Sequence, residues 1–547
     1  IDTQKQQLSN QNGKIIAKTV DLKTGKLDNQ TGLIQAEQSV KIDTQQNALL
    51  NNNSGNNAGI LSQGSLNLLN ITQLENTRGY IAAIGSANIA AQNINNNSGQ
   101  INSQADLNIH QQTSGGRIDN LAGQIQAQQN VSLNSDTINN SGVGSHIVAG
   151  AKLTATANQF INAQTNDSTV LGGLDAKNIE INALTLDNQA GVIRASDNAI
   201  LNVNNQLSNQ LGSISSLNTL SIGTANKTLN LNNTNGELLA KNQLNLKANE
   251  LINKGKIVSE GNVDIDLKQS YTHTQADQIS ANGTLKLSTE QDLINQSELT
   301  AGQKVELNAK NIQNQTGASI SLNETHLIAQ DTLHNQGLIN GELTHIQANR
   351  VWNDGARIYG THVAIQANTL DNKSNSSGTG AVIASRGDMD LGIQILNNKS
   401  GSLVKDNGRD NAWIFSAGDL NIGGSLDADL KAQGNADKIY NGSAVIESFG
   451  NMYLGAKNIQ NVNENLVINE LVEKSRKDIV EYGDDNNRWD QSEVRFTKSK
   501  RGAEDAVLWV SNKAGEPGRE EYGEDWYKYE YTKLQLEDEV ESTSPAQ

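Results

Sequence analysis

The stretch Leu27–Ala36, "LDNQTGLIQA", returns almost unchanged at Leu186–Ala195 as "LDNQAGVIRA". Both follow the pattern L-x-N-x-x-G-x-I-x-A, and aliphatic or small side chains recur two, four, eight and ten residues after the glycine. After Gly123 these positions hold Ile125, Ala127, Val131 and Leu133. The same spacing follows Gly32, Gly79, Gly99, Gly212 and Gly236. Steps of two residues are the period of a β-strand, whereas a helix needs steps of three and four. The pattern therefore predicts short strands.

The distance between successive asparagines of this pattern gives the approximate length of one repeat. Successive members Asn76, Asn96, Asn120, Asn140 and Asn162 are 20, 24, 20 and 22 residues apart. A unit this short cannot bury its apolar face alone, but units stacked on one another can. The sequence predicts an all-β fold, a parallel β-solenoid of about 20 coils over residues 1–465, with a rise of about 4.8 Å per coil. The resulting rod would be on the order of 100 Å long.

The recurring asparagines and glycines are predicted to have structural roles. Asparagine amides at one corner of successive coils can hydrogen-bond to each other in a ladder along the axis. The predicted ladder contains Asn29, Asn52, Asn76, Asn96, Asn120, Asn188, Asn209, Asn233, Asn314 and Asn398. Glycine is expected because it adopts a positive φ without strain. The predicted turn glycines are Gly32, Gly79, Gly99, Gly123, Gly191, Gly212 and Gly236.

Composition restricts the class of protein. Of 547 residues, 35% are hydrophobic but only 3% are aromatic, which suits a thin aliphatic core. The regular spacing of the aliphatic residues argues against disorder, and the repeat length argues against a propeller. No G-G-x-G-x-D-x nonapeptide recurs, which argues against a calcium-binding β-roll. A net charge of −17 disfavours nucleic acid and anionic membrane surfaces as partners. No apolar run reaches the roughly 18 residues of a membrane span. The chain begins within the pattern at Ile1, so we interpret it as part of a longer protein.

The sequence contains no recognisable catalytic, metal-binding or nucleotide-binding motif. Without cysteine, thiolate zinc sites and cysteine nucleophiles are excluded. Four of the seven histidines fall in consecutive coils, but their positions within the coil differ, so no common metal site is expected. These histidines are His326, His334, His345 and His362. No P-loop and no G-x-S-x-G motif occurs. The sequence predicts no catalytic residue, no cofactor and no metal, and hence not an enzyme.

The pattern breaks in three places. Insertions at the coil corners are predicted near residues 371–382 and 402–438, where loops could bind a partner. Residues 466–547 form a separate, charged region rich in aromatic side chains, read either as a cap of the solenoid or as the start of a receptor-recognition region. Its candidate contact residues are Trp489, Trp509, Trp526, Tyr527, Tyr529 and Tyr531.

The repeat "LDNQTGLIQA", with "IDNLAGQIQA" from Ile118 and "LDNQAGVIRA", resembles the first repeat type of the filamentous haemagglutinins. These are exoproteins of two-partner secretion, which include the effectors of contact-dependent growth inhibition. The resemblance covers about residues 1–465 and implies a right-handed β-helix on the surface of a Gram-negative bacterium. It further implies export through an outer-membrane transporter partner. A toxin activity is not carried over, because no toxin domain is evident in the chain.

Three functions remain open at this stage. The first is a secreted, monomeric stalk that presents a recognition tip to an outer-membrane receptor on a neighbouring cell. The second is an adhesin whose β-helix binds host or bacterial surface glycans. The third and most remote is a β-helix enzyme that acts on polysaccharides, which would need acids and bases clustered on one face.

Overall fold

The computed structural model describes residues 1–54, 58–401, 411–464, 472–483, 488–498, 506–510, 519–521 and 527–537. The chain divides into two compact units, Ile1–Asn461 and Val462–Ala546. Each unit is described by itself below.

The first unit confirms the predicted fold class. It is a parallel β-solenoid of about 21 turns, without an α-helix among the described residues. A regular turn carries three strand segments, for example Gln124–Ala127, Val131–Asn134 and Thr137–Asn139. Each segment pairs in parallel with the equivalent segments of the turns before and after it. In some turns the segments merge, and His146–Ile161 runs through all three positions.

The strands of the first unit contain between 2 and 18 residues. The strands of the first third are Leu8–Ser9, Lys14–Lys23, Leu27–Asp28, Leu33–Leu50, Gly59–Ser62, Ser65–Glu75, Tyr80–Ala83, Ala87–Asn95, Gln100–Ser103, Leu107–His110, Arg117–Asp119, Gln124–Ala127, Val131–Asn134, Thr137–Asn139, His146–Ile161 and Gly173–Asp187. Those of the middle are Val192–Ala195, Ala199–Ser208, Ser213–Ser216, Thr219–Ile222, Asn230–Asn232, Glu237–Ala240, Gln243–Ala248, Glu250–Ile252, Lys256–Ser259, Asn262–Leu267, Tyr271–His273, Gln278–Ala281, Thr284–Thr289, Asp292–Asn295, Glu298–Leu299 and Lys304–Asn314. Those of the last third are Ser319–Asn335, Leu338–Asp354, Arg357–Gly360, His362–Lys373, Val382–Ser385, Met389–Lys399, Trp413–Ser416, Leu420–Gly423, Ser425–Leu426, Ala432–Gln433, Lys438–Gly442, Val445–Ser448, Met452–Leu454 and Ile459–Val462.

The core is a column of aliphatic side chains inside the turns. Ile101, Ile125 and Ile147 occupy the same register in successive turns and are fully buried. The described core contains only two aromatic side chains, Phe160 and Tyr271. Along each strand, side chains alternate between the core and the outward face, so nearly every second position buries a side chain in the core. Burial of one large aliphatic side chain stabilises the fold by about 1.5–3 kcal/mol.

The corner insertions differ from each other. At the first, the strands end at Lys373 and resume at Val382, and the Asn375 side chain accepts hydrogen bonds from the N–H groups of Ser377 and Thr379, both at 3.0 Å. Within the second, residues 402–410 lie outside the described residues. Its later part contains an antiparallel hairpin made of Ser425–Leu426 and Ala432–Gln433.

This hairpin is fastened onto the outward face of the solenoid. The Leu426 N–H donates to Gln366 Oε1 at 2.6 Å, and the Ala432 N–H donates to Asp390 Oδ1 at 3.0 Å. The Asp390 side chain is completely buried and also contacts His362 and Lys431. Burial alone would raise the pKa of Asp390, but hydrogen bonds from His362, the Ala432 N–H and Asn421 outweigh it and lower the pKa to about 2.

The second unit is built from antiparallel strands. Val472–Gly483 pairs with Arg488–Asp490 and with Tyr527–Glu537. A second sheet contains Val494–Lys498, Ala506–Val510 and Arg519–Glu521. A short 3₁₀ turn, Gln491–Glu493, precedes it. The second unit therefore has antiparallel strand pairing, whereas the first unit has parallel pairing between stacked turns.

Candidate functional site

Buried asparagine amides form a ladder along the solenoid. Asn76 Nδ2 donates to Asn96 Oδ1 at 2.7 Å and to the main-chain oxygen of Gln100 at 3.2 Å. Asn96 repeats both bonds with Asn120 and Gln124 in the next turn. The three asparagines are fully buried. Each amide is thus satisfied by the following turn, and removing one would leave buried polar groups without partners, at about 1–3 kcal/mol for each group.

The ladder contains nine of the ten asparagines predicted from the sequence, namely Asn29, Asn76, Asn96, Asn120, Asn188, Asn209, Asn233, Asn314 and Asn398. The tenth prediction, Asn52, is wrong: Asn51 donates to Asn76 Oδ1 at 2.8 Å. Leu49 aligns with Leu27, so the ladder position two residues later is residue 51. Further members are Asn10, Asn140, Asn162, Asn253, Asn295, Asn335, Asn353, Asn372, Asn441 and Asn461.

The predicted reason for the turn glycines is wrong, although all seven lie at the same corner. The residue with a positive φ is the one before the glycine, as in Thr31, Ser98 and Ala122, with φ values of 55°, 53° and 51°. A Cβ on Gly123 would overlap the main-chain oxygen of Asn96 in the preceding turn. The same overlap with a ladder asparagine occurs at Gly32, Gly79, Gly99, Gly191, Gly212 and Gly236. Glycine is therefore required by the close approach of two turns.

Three of the four clustered histidines lie on one outward face. The sequence interpretation that the positions differ is correct for His334 and wrong for His326 and His345. His326 and His345 are register partners in adjacent turns, and their rings meet edge to face with centroids 5.4 Å apart. His362 begins the next strand of the same face. His334 instead stacks flat on Trp352, with ring centroids 4.0 Å apart. Within the described ranges, no group of three or more histidine, aspartate or glutamate side chains could hold a metal ion.

The crowding of these histidines predicts a loss of stability in acid. Burial, followed by the charges of His326, Lys304 and His362, lowers the pKa of His345 to about 4. The unfolded chain takes up this proton near pH 6.5, so the stabilisation is complete above that pH and is lost as the pH falls toward 4. We expect the midpoint of urea unfolding, measured by circular dichroism, to decrease over this window and to decrease less in His345→Gln. An equal decrease in both proteins would contradict this assignment.

A shallow groove of about 420 Å³ on another outward face contains Asp175, Lys177 and Arg194. Asp175 accepts hydrogen bonds from His146 Nε2 and from two nitrogens of Arg194, all at 2.6 Å. Burial opposes ionisation of Asp175, but these bonds outweigh it and lower its pKa. Asp175 thus stays ionised and links the turns on either side of it through His146 and Arg194. A carboxylate that stays ionised is a poor general acid.

Aromatic side chains concentrate on the outward faces near the end of the first unit. The regular turns before residue 351 contain only Tyr80, Phe160 and Tyr271, and the last two are buried in the core. Residues 351–461 contain Trp352, Tyr359, Trp413, Phe415, Tyr440, Phe449 and Tyr453. We call Trp413, Phe415 and Phe449 the aromatic surface. Phe415 packs against Trp413 at 5.3 Å and against Phe449 at 5.0 Å between ring centroids, and Phe449 is 74% exposed.

The structure places five of the six candidate contact residues of the second unit on three different strands. Trp489 lies on Arg488–Asp490 and is half-buried. Trp509 lies on Ala506–Val510. Tyr527, Tyr529 and Tyr531 follow each other at alternate positions of one strand, paired with Gly483, Glu481 and Ile479. Trp526 lies outside the described residues. In the part of the chain that is described, no helix has the length and apolar character needed to cross a membrane.

Comparison with known proteins gives one partial similarity. A stretch of 165 residues, 30% of this chain, is 30% identical to a protein of Yersinia mollaretii named tRNA nuclease CdiA. The stretch covers 5% of the length of that protein. No family model and no solved structure matches the chain. The similarity to CdiA and the parallel β-solenoid together fit a filamentous-haemagglutinin-like stalk of contact-dependent growth inhibition.

Proposed function

We propose that this chain is part of the extracellular stalk of a bacterial surface exoprotein that acts in contact-dependent growth inhibition. The observation that carries the proposal is the stacking of about 21 parallel turns on one aliphatic core. Such a repeat contacts only its neighbours and extends by a fixed step, so its length sets a distance. A stalk of this kind would hold a recognition region away from the cell that produces it.

In this proposal the chain itself performs no chemistry. Two carboxylates on its outward faces have structural partners: Asp175 joins adjacent turns, and Asp390 binds the hairpin. The parent protein would be secreted to the surface of a Gram-negative cell with the help of an outer-membrane transporter. It would act as a monomer toward an outer-membrane receptor on a neighbouring cell, which the second unit, Val462–Ala546, would contact.

Deletion of the second unit tests this role. The fluorescently labelled chain is expected to bind live Gram-negative bacteria, and removal of residues 462–547 is expected to abolish binding, measured by flow cytometry. Circular dichroism of the shortened chain serves as the control that the solenoid is intact. Undiminished binding by a folded, shortened chain would contradict a recognition role for the second unit.

The aromatic surface favours a second candidate, an adhesin that binds through the solenoid itself. Exposed aromatic side chains are frequent in binding hot spots and can stack on sugar rings. Replacement of Trp413, Phe415 and Phe449 by serine should then reduce binding to cells or to a glycan array. Leu217→Ser, at a site that is 63% exposed, is the matched control. Unchanged binding by the triple variant would exclude this candidate.

A further inference from the structure

The asparagine ladder is interrupted once, at His273. Twelve asparagines from Asn10 to Asn253 are joined by amide–amide bonds, and eight from Asn295 to Asn461 form a second segment. His273 pairs in register with Asn295 and occupies the ladder position in the turn between the two segments. Its side chain is 1% exposed.

His273 reproduces one of the two ladder bonds. A ladder asparagine donates to the next amide oxygen and to a main-chain oxygen at the start of the next turn, as Asn295 does to Asn314 and to Ser319. His273 Nε2 lies 3.0 Å from the equivalent oxygen, that of Glu298. A carbonyl oxygen can only accept, so Nε2 carries the proton and Nδ1 of the neutral ring is a bare acceptor.

The unpartnered atoms on the two sides of the interruption are complementary only while His273 is neutral. Asn253 Nδ2, His273 Nδ1 and, beside Asn253, the Tyr271 hydroxyl are buried without a hydrogen-bond partner among the described residues. Asn253 Nδ2 is a hydrogen-bond donor, so the acceptor Nδ1 of a neutral His273 can lie next to it. A protonated Nδ1 is also a donor, so the two groups would then repel each other. Asn253 cannot turn its amide to help, because its Oδ1 already accepts from Asn233 Nδ2 at 2.8 Å. Every amide from Asn10 onward points the same way, so one reversal would have to run through the whole segment.

The groups around His273 offer a new proton little compensation. Burial lowers the pKa of His273, while the Glu298 main-chain oxygen and the charge of Asp277, in the turn after its own strand, oppose this effect. Asp277 is itself engaged, since it accepts hydrogen bonds from the N–H and hydroxyl of Thr274 at 2.6 and 2.7 Å. The phenol of Tyr271 lies beside Asn253 and Asp277, and burial raises its pKa well above the usual value, so it stays neutral. The preceding turn contributes the uncharged Asn253.

We propose that His273 is an acid-sensitive joint of the solenoid. Neutral His273 binds the following turn through Nε2 and presents an acceptor that tolerates the buried amide donor of Asn253, and protonation of Nδ1 opens the turns between Asn253 and Asn295. In the open form, His273 is expected to have the ordinary histidine pKa of about 6.5. Below that pH, each further pH unit increases the ratio of open to closed turns by up to tenfold, until the pKa of His273 in the closed form is reached.

Hydrogen exchange of the full chain at pH 7.5 and pH 5.0, corrected for intrinsic rates, tests the joint. Opening of the strands Glu250–Ile252, Tyr271–His273 and Asp292–Asn295 is expected to increase about tenfold or more at pH 5.0, relative to Gln100–Ser103. His273→Asn supplies the residue that the ladder carries elsewhere and should abolish the increase. His273→Gln, which cannot take up the proton, should abolish it too, even if protection at pH 7.5 is lower.

The control is His110→Asn, at a half-buried histidine outside the ladder, and it should retain the full increase. Equal protection of the three strands at both pH values in the unaltered chain would overturn the proposal. So would an acid-induced increase of the same size in His273→Asn.

Discussion

Gly123→Ala is expected to destabilise the turns on both sides of it by about 3 kcal/mol, because overpacking of close-packed segments costs this order of free energy. The new Cβ would overlap the main-chain oxygen of Asn96 and crowd the side chains of Asn120 and Asn96. The turns would have to separate, which weakens the ladder bonds at this corner. Hydrogen exchange of the strands Gln100–Ser103 and Gln124–Ala127 measures the effect directly.

Ala122→Gly is the matched control for this prediction. Ala122 holds the left-handed φ of 51° at this corner, so glycine at residue 122 relieves strain while it makes the unfolded chain more flexible. The two effects nearly cancel, and protection should change little. If Ala122→Gly were the damaging variant and Gly123→Ala the silent one, glycine would serve the turn through its φ and not through the approach of the turns.

Leu133→Asp should cost several kcal/mol, because it places an unpaired charge in the aliphatic core. Leu133 is 1% exposed and lies between Ile109 and Ala155, its register partners in the adjacent turns. No water can reach the carboxylate there without separation of the turns. We expect strong loss of hydrogen-exchange protection in Leu107–His110, Val131–Asn134 and the following strand, with a smaller effect several turns away.

Gln126→Asp introduces the same carboxylate on the outward face, only a few residues earlier in the same turn. Gln126 is exposed, so its replacement should change stability by less than about 0.5 kcal/mol. Comparable damage from Leu133→Asp and Gln126→Asp would mean that the inward and outward faces have been assigned incorrectly.

The strands and the core could be predicted because burial leaves a direct mark on the sequence. Ile125, Ala127, Val131 and Leu133 alternate with polar residues, and all four are buried as the period of two requires. The ladder position was equally readable wherever the spacing to the glycine is standard. The prediction of Asn52 was wrong because residues 51–53 are all asparagine, so the sequence does not show which of them is in the ladder. The alignment of Leu49 with Leu27 in the structure identifies Asn51.

Features that depend on how turns meet could not be predicted. The spacing of ladder partners varies, from 18 residues between Asn335 and Asn353 to 43 between Asn398 and Asn441, so the shared register of His326 and His345 is hidden in the sequence. The main-chain contact that requires Gly123 involves Asn96, a residue of another turn. The hairpin Ser425–Gln433 folds back onto Gln366, which lies 60 residues before Leu426. No local pattern encodes these contacts.

The regular parallel stacking is tested most directly by a distance between two outward positions of one column. Gln126 and Ser280 are exposed and are linked by seven register steps, through residues 148, 175, 194, 215, 239 and 258. The chain has no cysteine, so a variant with Gln126→Cys and Ser280→Cys can carry spin labels at these two positions only. Pulsed electron paramagnetic resonance then measures the distance between the labels. A solenoid predicts one narrow distance of about 34 Å, which is seven strand spacings. A broad distribution, or a main distance far from seven spacings, would contradict it.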